Sequence, residues 1–196
     1  MKKYELTGQT KVIIPSVIVL HRIRALRGIQ QHGVKVGDLG GWIESEKNLS
    51  QEGECWVGGN ALVYGGSFVA GDALVDGDAV VKDISIVAED ALVEGCAIVA
   101  GYSIVKGDAI VRGDTRLSSN AIIASTHDYL VIGPIGSRDD YTTFYCAATG
   151  IWVCCGCFNG EIEKFKNEVK RTHGDNKYAK EYMDAIEFAY KRFQTT

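Results

Sequence analysis

The chain has 196 residues, a formal net charge of −4 and a pI near 5.6, with 46% hydrophobic and 23% charged residues. That is an ordinary globular composition, and its acidic balance excludes the basic surface that a general binder of DNA or RNA polymers needs. The longest apolar run, residues 12–20, holds a proline and falls well short of the roughly 20 residues of a membrane span. No signal-type cleavage site follows it, so a cytoplasmic protein is expected. Its six cysteines, Cys55, Cys96, Cys146, Cys154, Cys155 and Cys157, are then expected to be reduced.

Residues 1–54 stand apart from the rest of the chain. "YELT", "KVII" and "VIVLHRIRAL" read as short strands of a small sheet. "HGVKVGDLGGWIESEKNLS" is rich in turn residues and leads into the next region. The expected role is an N-terminal β cap over an open solenoid end. Leu20 to Arg27 and Gly37 to Ser50 resemble a lead-in segment of phage and prophage proteins, which implies such a source.

Residues 55–124 repeat every six positions. Val57, Val63, Val69, Val75, Val81, Val87, Val93, Val99, Val105, Val111, Leu117 and Ile123 hold one register. A small residue stands two positions before each, and glycine stands two positions after most. Strand side chains alternate faces, so the small residue and the aliphatic share one face. The glycine supplies a positive-φ corner. A unit this short cannot bury its own apolar face and must stack on others. Three sides close a triangular prism of 18 residues per coil. The unit A-x-V-x-G-[DN] resembles the hexapeptide repeat of left-handed β-helix proteins, although many hexapeptide transferases carry the glycine one position earlier. The resemblance implies a mainly β fold, a left-handed parallel β-helix of about four coils.

The residue between the small and aliphatic positions points outward, yet it is apolar. Spaced by 18, these residues form three ladders: Leu62/Val80/Ile98, Phe68/Ile86/Ile104/Ile122 and Leu74/Leu92/Ile110. Exposed apolar patches of that extent mark interfaces, so a homotrimer packed side against side is expected. Asp72, Asp90 and Asp108 form a corner column. Its reading is turn chemistry rather than a cation site.

Residues 125–196 lose the period. "YLVIGPIG" and "YTTFYCAATGIWVCCG" read as strands, the latter turning at Thr149-Gly150. Two helices come next. One carries Ile162, Phe165 and Val169 and stops at Gly174; the other carries Tyr178, Tyr182, Ile186, Tyr190 and Phe193 at helical spacing. This is an α+β module whose aromatic stripe is expected to be core. "IGSRDDYTTFY", "GCFNGEIEKF" and "HGDNKYAKEY" resemble a C-terminal module found behind different solenoids in phage-encoded proteins. That architecture implies that the module carries the function and the solenoid is its scaffold.

Three chemistries compete. The hexapeptide resemblance allows an acyltransferase, with His127 as general base and coenzyme A between subunits. The uninterrupted repeat lacks the inserted loop that such sites use. A carbonic-anhydrase-like site is excluded, because His21, His32, His127 and His173 all lie outside the repeat. No metal is expected. Cys154 and Cys157 form only half of a structural zinc site, and in a strand Cys154 and Cys155 face opposite ways. The favoured expectation is non-catalytic binding of a small anionic or nucleotide ligand, without cofactor. Gly136, Ser137, Arg138, Thr142, Thr143, Tyr145 and Phe158 are its candidate residues, with the segment from Cys157 to Asn159 leading into a helix N-terminus. A phage source then suggests sequestration of a host nucleotide immune signal. A third reading is an assembly protein that binds a partner through its apolar faces.

Overall fold

The structure is a computed structural model describing residues 2–194. Met1 and the last two residues of the expected 125–196 module lie outside the described residues. The chain begins with a hairpin, β1 (Tyr4–Ile13) and β2 (Ile18–Ala25), followed by β3 (Leu39–Ile43). "YELT" and "KVII" fall in one strand, interrupted by a register shift between Leu6 and Thr10.

Twelve two-residue strands come next, β4 to β15. They are Trp56–Val57, Leu62–Val63, Phe68–Val69, Leu74–Val75, Val80–Val81, Ile86–Val87, Leu92–Val93, Ile98–Val99, Ile104–Val105, Ile110–Val111, Arg116–Leu117 and Ile122–Ile123. Each of β4 to β12 pairs in parallel with the strand three places on, as Leu62 does with Val80 and Val80 with Ile98. The result is a three-sided parallel solenoid of about five turns. The twelve aliphatics of the register and their small partners are fully buried inside it. Each inward Val contributes about 1.5–3 kcal/mol by leaving water.

The four expected coils are preceded by a further turn. Ile43 pairs with Val63 and Leu49 with Val69, so both belong to the prism. Their offset exceeds the regular one by two residues. The step from Ile43 to Leu49 is a regular six residues, across a 3₁₀ turn, Glu46–Asn48, closed by a reciprocal Ser45–Asn48 capping box, so the extra length lies between Leu49 and Val57. The Asn48 side-chain amide donates to the carbonyls of Gly65 and Ser67, tying this turn to the coil above. Because β3 pairs with both β2 and β5, the N-terminal hairpin extends one face of the prism as a seven-stranded sheet. Lys3 is fully buried there, and its Nζ reaches the Glu52 carbonyl at 3.1 Å and Cys55 Sγ at 3.0 Å.

The corners require left-handed backbone. Gly59, Gly65, Gly71, Gly77, Gly95, Gly101, Gly107 and Gly113 adopt φ between 51° and 73°. Asp83, Glu89 and Ser119 occupy the same conformation without the freedom of glycine. The Asp83 and Glu89 carboxylates offset that strain by accepting from the amides of Gly101 and Gly107 in the coil above.

The solenoid ends on an antiparallel sheet of β16 (Tyr129–Ile135), β17 (Asp140–Ala147), β18 (Gly150–Cys155) and β19 (Phe158–Glu161). Helices α1 (Ile162–His173) and α2 (Lys177–Gln194) pack on its far side. One core runs through the prism to Tyr129 and Tyr145, and a second fills the space between sheet and helices. Among the described residues, no helix is long and apolar enough to cross a membrane.

Coil stacking leaves little room for a side chain at most of the glycine corners. A Cβ on Gly71 would lie 2.7 Å from the Glu89 nitrogen, at φ +65°. Gly71→Ala is therefore expected to cost at least about 1–3 kcal/mol, read as a lower midpoint in urea unfolding.

Candidate functional site

The period-two alternation of β17 and β18 divides the module into two sides. Phe144, Val153 and Cys155 face the helices, while Tyr145, Trp152 and Cys154 face the prism. The thiols of Cys154 and Cys155 thus lie on opposite sides of one strand. Burial pushes the Cys154 thiol up.

A cavity of about 370 Å³ opens where the 3₁₀ turn Gly136–Arg138 and the β18–β19 turn meet the two helices. Its walls are largely aromatic. Phe165 of α1 packs at 5.1 Å from Phe158, edge-on to Phe144 at 6.3 Å and to Tyr182 at 5.6 Å. His173, the last residue of α1, stacks on Tyr182 with 5.7 Å between centroids and 30° between planes. Two glycines set the rim. Gly136, at φ +74°, lies against the Tyr182 hydroxyl so closely that a Cβ would overlap it, and its amide donates to Glu181. Gly156, at φ +58°, lies under the Arg138 guanidinium in the same way.

The charges are unevenly satisfied. Glu168 is matched by Arg171, whose guanidinium holds the carboxyl below the usual carboxylate range. Tyr182 keeps its proton, because burial foremost, with Cys155 adding, pushes its ionisation well above the usual tyrosine value. Arg138 is exposed at the cavity rim and makes no hydrogen bond or ion pair with another described residue. The arrangement is a ring-lined slot with this free cation at its rim, and hydroxyls from Ser137, Thr172 and Tyr182.

Of the candidate residues, Ser137, Arg138 and Phe158 come together around this cavity, with Gly136 shaping the turn behind them. Thr142, Thr143 and Tyr145 stand elsewhere, fully buried in β17. Thr142 donates to Cys155 Sγ at 3.2 Å. Thr143 Oγ1 accepts from the Arg116 amide at 3.1 Å. The Tyr145 hydroxyl, pushed up to about 12 by burial, donates to Asn159, whose amide in turn donates to Ser119. Thr143 and Tyr145 therefore fasten the module to the last coil. The helix expected to begin after Asn159 is preceded by β19, so Phe158 and Asn159 sit in a strand and α1 starts at Ile162. His127 is exposed, with Nδ1 3.3 Å from Ser125 Oγ in its own capping turn, apart from the cavity.

No protein-family model and no curated protein matches the chain.

Cys155, Cys157, Phe165, Glu168, Thr172, His173 and Tyr182 also line the cavity, and apart from Cys157, which opens the segment leading to α1, none of them stands out as a ligand-binding residue in the sequence. Phe165 and Tyr182 sit on apolar stripes and serve both core and cavity. The signal for His173 is its place at the helix stop before Gly174, where a turn exposes the last side chain. Phe165 bridges three rings, so Phe165→Ala is expected to cost about 3–5 kcal/mol, read as a lower denaturant midpoint of the helical circular-dichroism signal.

Proposed function

We propose that the C-terminal module binds a small anionic ligand of the nucleotide class in the Arg138 cavity, without catalysis, and that the solenoid serves as its scaffold. The observation that carries this reading is the unpaired Arg138 guanidinium at the rim of an aromatic-lined slot. A guanidinium offers a planar fork of donors to a phosphate. Phe158 and the stacked His173–Tyr182 pair offer faces for a heterocyclic ring. The volume lies near the lower end of the range of about 300–1,000 Å³ for small-molecule sites. It suits one ring with its phosphate and does not suit a polymer.

The sequence resemblance to phage and prophage proteins supports reading this binding in a phage context. There a protein that captures a nucleotide signal of host defence needs affinity alone. The acyltransferase alternative rests on His127, which sits outside this cavity and is engaged with Ser125.

Calorimetry and thermal-shift titration with adenosine and guanosine monophosphates, cyclic dinucleotides and inorganic phosphate test the reading. Binding raises the melting temperature as ligand saturates the folded state. Arg138→Ala is expected to weaken affinity at least about tenfold, from the loss of a charged hydrogen bond of about 1.5–3 kcal/mol. The ligand is expected to be recovered chemically intact. Nucleotide-dependent shifts that are identical in wild type and Arg138→Ala overturn the assignment.

A further inference from the structure

The three faces of the prism differ. The face of β4, β7, β10 and β13 is bordered by Asp72, Asp76, Asp90 and Glu94 and is partly covered by the 3₁₀ turn of residues 30–32. His32 Nε2 lies 2.9 Å from the Asp72 carbonyl, and Gln31 reaches Asp90. The face of β5, β8, β11 and β14 continues into the N-terminal hairpin, and its outward Leu62, Val80 and Ile98 are half-buried. The third face, of β6, β9, β12 and β15, exposes Phe68, Ile86 and Ile122 at 38–40%. Its corner column adds Ile84 at 54% and Tyr102 at 64%, where the other faces carry Asp or Asn and, once, Cys96.

The same chain exposes a second apolar surface. Only His21 to Arg24 of β2 pair with β3, so the hairpin beyond is a bare two-stranded ribbon. Val12 pairs with Val19, and Ile14 and Val17 lie in the turn that joins the two strands. All four are exposed, Ile14 at 82% and Val17 at 72%. An isolated two-stranded ribbon is marginally stable in water. The ribbon extends one face of its own prism and leaves the third face uncovered, so the two surfaces do not meet within one chain.

Lys11 and Arg22 at the ribbon and Asp83 and Glu89 at the third face are of opposite sign, with Lys106 after β12 the exception on the third face. Lys11 and Arg22 at the root of the ribbon lie over the Trp42 ring, each 5.2 Å from its centroid, and neither forms an ion pair with a described residue. Arg22 Nε is buried without a hydrogen-bond partner among the described residues. Asp83 and Glu89 flank Ile84 and Ile86 on the third face, and their carboxylates are engaged only by backbone amides among the described residues.

We infer that the N-terminal ribbon of one copy docks on the Phe68–Ile84–Ile86–Tyr102–Ile122 face of a second copy. The contact is heterologous: each chain gives one ribbon and receives one. It therefore narrows self-association from three equivalent sides to one face and one arm.

Mixing of variants tests this with the full chain. Wild type is expected to exceed monomer mass in sedimentation velocity at micromolar concentration. Ile14→Asp with Val17→Asp removes the ribbon surface, and Ile86→Asp removes the face; Phe68→Asp is a second face variant. Each is expected to run as a monomer with the wild-type circular-dichroism spectrum, since the altered positions are exposed. The ribbon variant retains a face and the face variant retains a ribbon. Mixed, they are expected to form a one-to-one dimer and nothing larger. A monomeric wild type, a ribbon variant that still self-associates, or a mixture that stays monomeric would each overturn the proposal.

Discussion

The structure depends on one repeated backbone hydrogen bond. The amide of Leu62 donates to the carbonyl of Ala79, that of Leu74 to Ala91, that of Ile86 to Ser103, and so on up the prism. This ladder holds only if every coil has the same length and every corner turns by the same angle. Those demands explain the six-residue register, the left-handed glycines and the inward Val with its small partner. A side chain at most corners would strike the coil above.

The ladder also explains why the prism reads so plainly in the sequence. The inward position takes a buried aliphatic in every unit, Val in ten and then Leu117 and Ile123, so the pattern from Val57 to Ile123 is unbroken. The first turn is harder to read. Ile43 and Leu49 sit two residues off the regular offset from Val63 and Val69, because the two extra residues fall between Leu49 and Val57. The module is legible in its two helices and its hairpin, which follow period 3.6 and period 2. The short β19 is not, because Asn159 and Gly160 carry no strand signal and pairing with β18 decides its conformation.

The cavity is legible in part, for a physical reason. Arg138 and Phe158 stand in polar, turn-rich stretches where exposure is expected. Phe165 and Tyr182 lie on helix stripes that look the same in sequence whether they line a core or a cavity. Thr142, Thr143 and Tyr145 show the opposite effect. "YTTFY" reads as a strand with hydroxyls to offer a ligand, yet β17 spends those hydroxyls on Cys155, on the Arg116 amide and on Asn159. Residue type reveals the hydrogen-bonding capacity of these groups, and the alternation of the strand decides where that capacity is used.

A parallel solenoid has no built-in length, and its last coil leaves backbone donors facing the place where another coil would sit. Here hydroxyls stand in for that coil. The Ile110 amide donates to Thr126, the Arg116 amide donates to Thr143, and the Tyr129 hydroxyl donates to the Ile110 carbonyl. The module is thus keyed to the local geometry of one coil end and is indifferent to how many coils lie below it. Inserting or deleting one whole coil would move it along the prism axis by about 4.8 Å with no rotation. A single six-residue unit would swing it a third of a revolution, so that the cavity would overlook a different face. The position and aim of the C-terminal module are two settings of the same repeat.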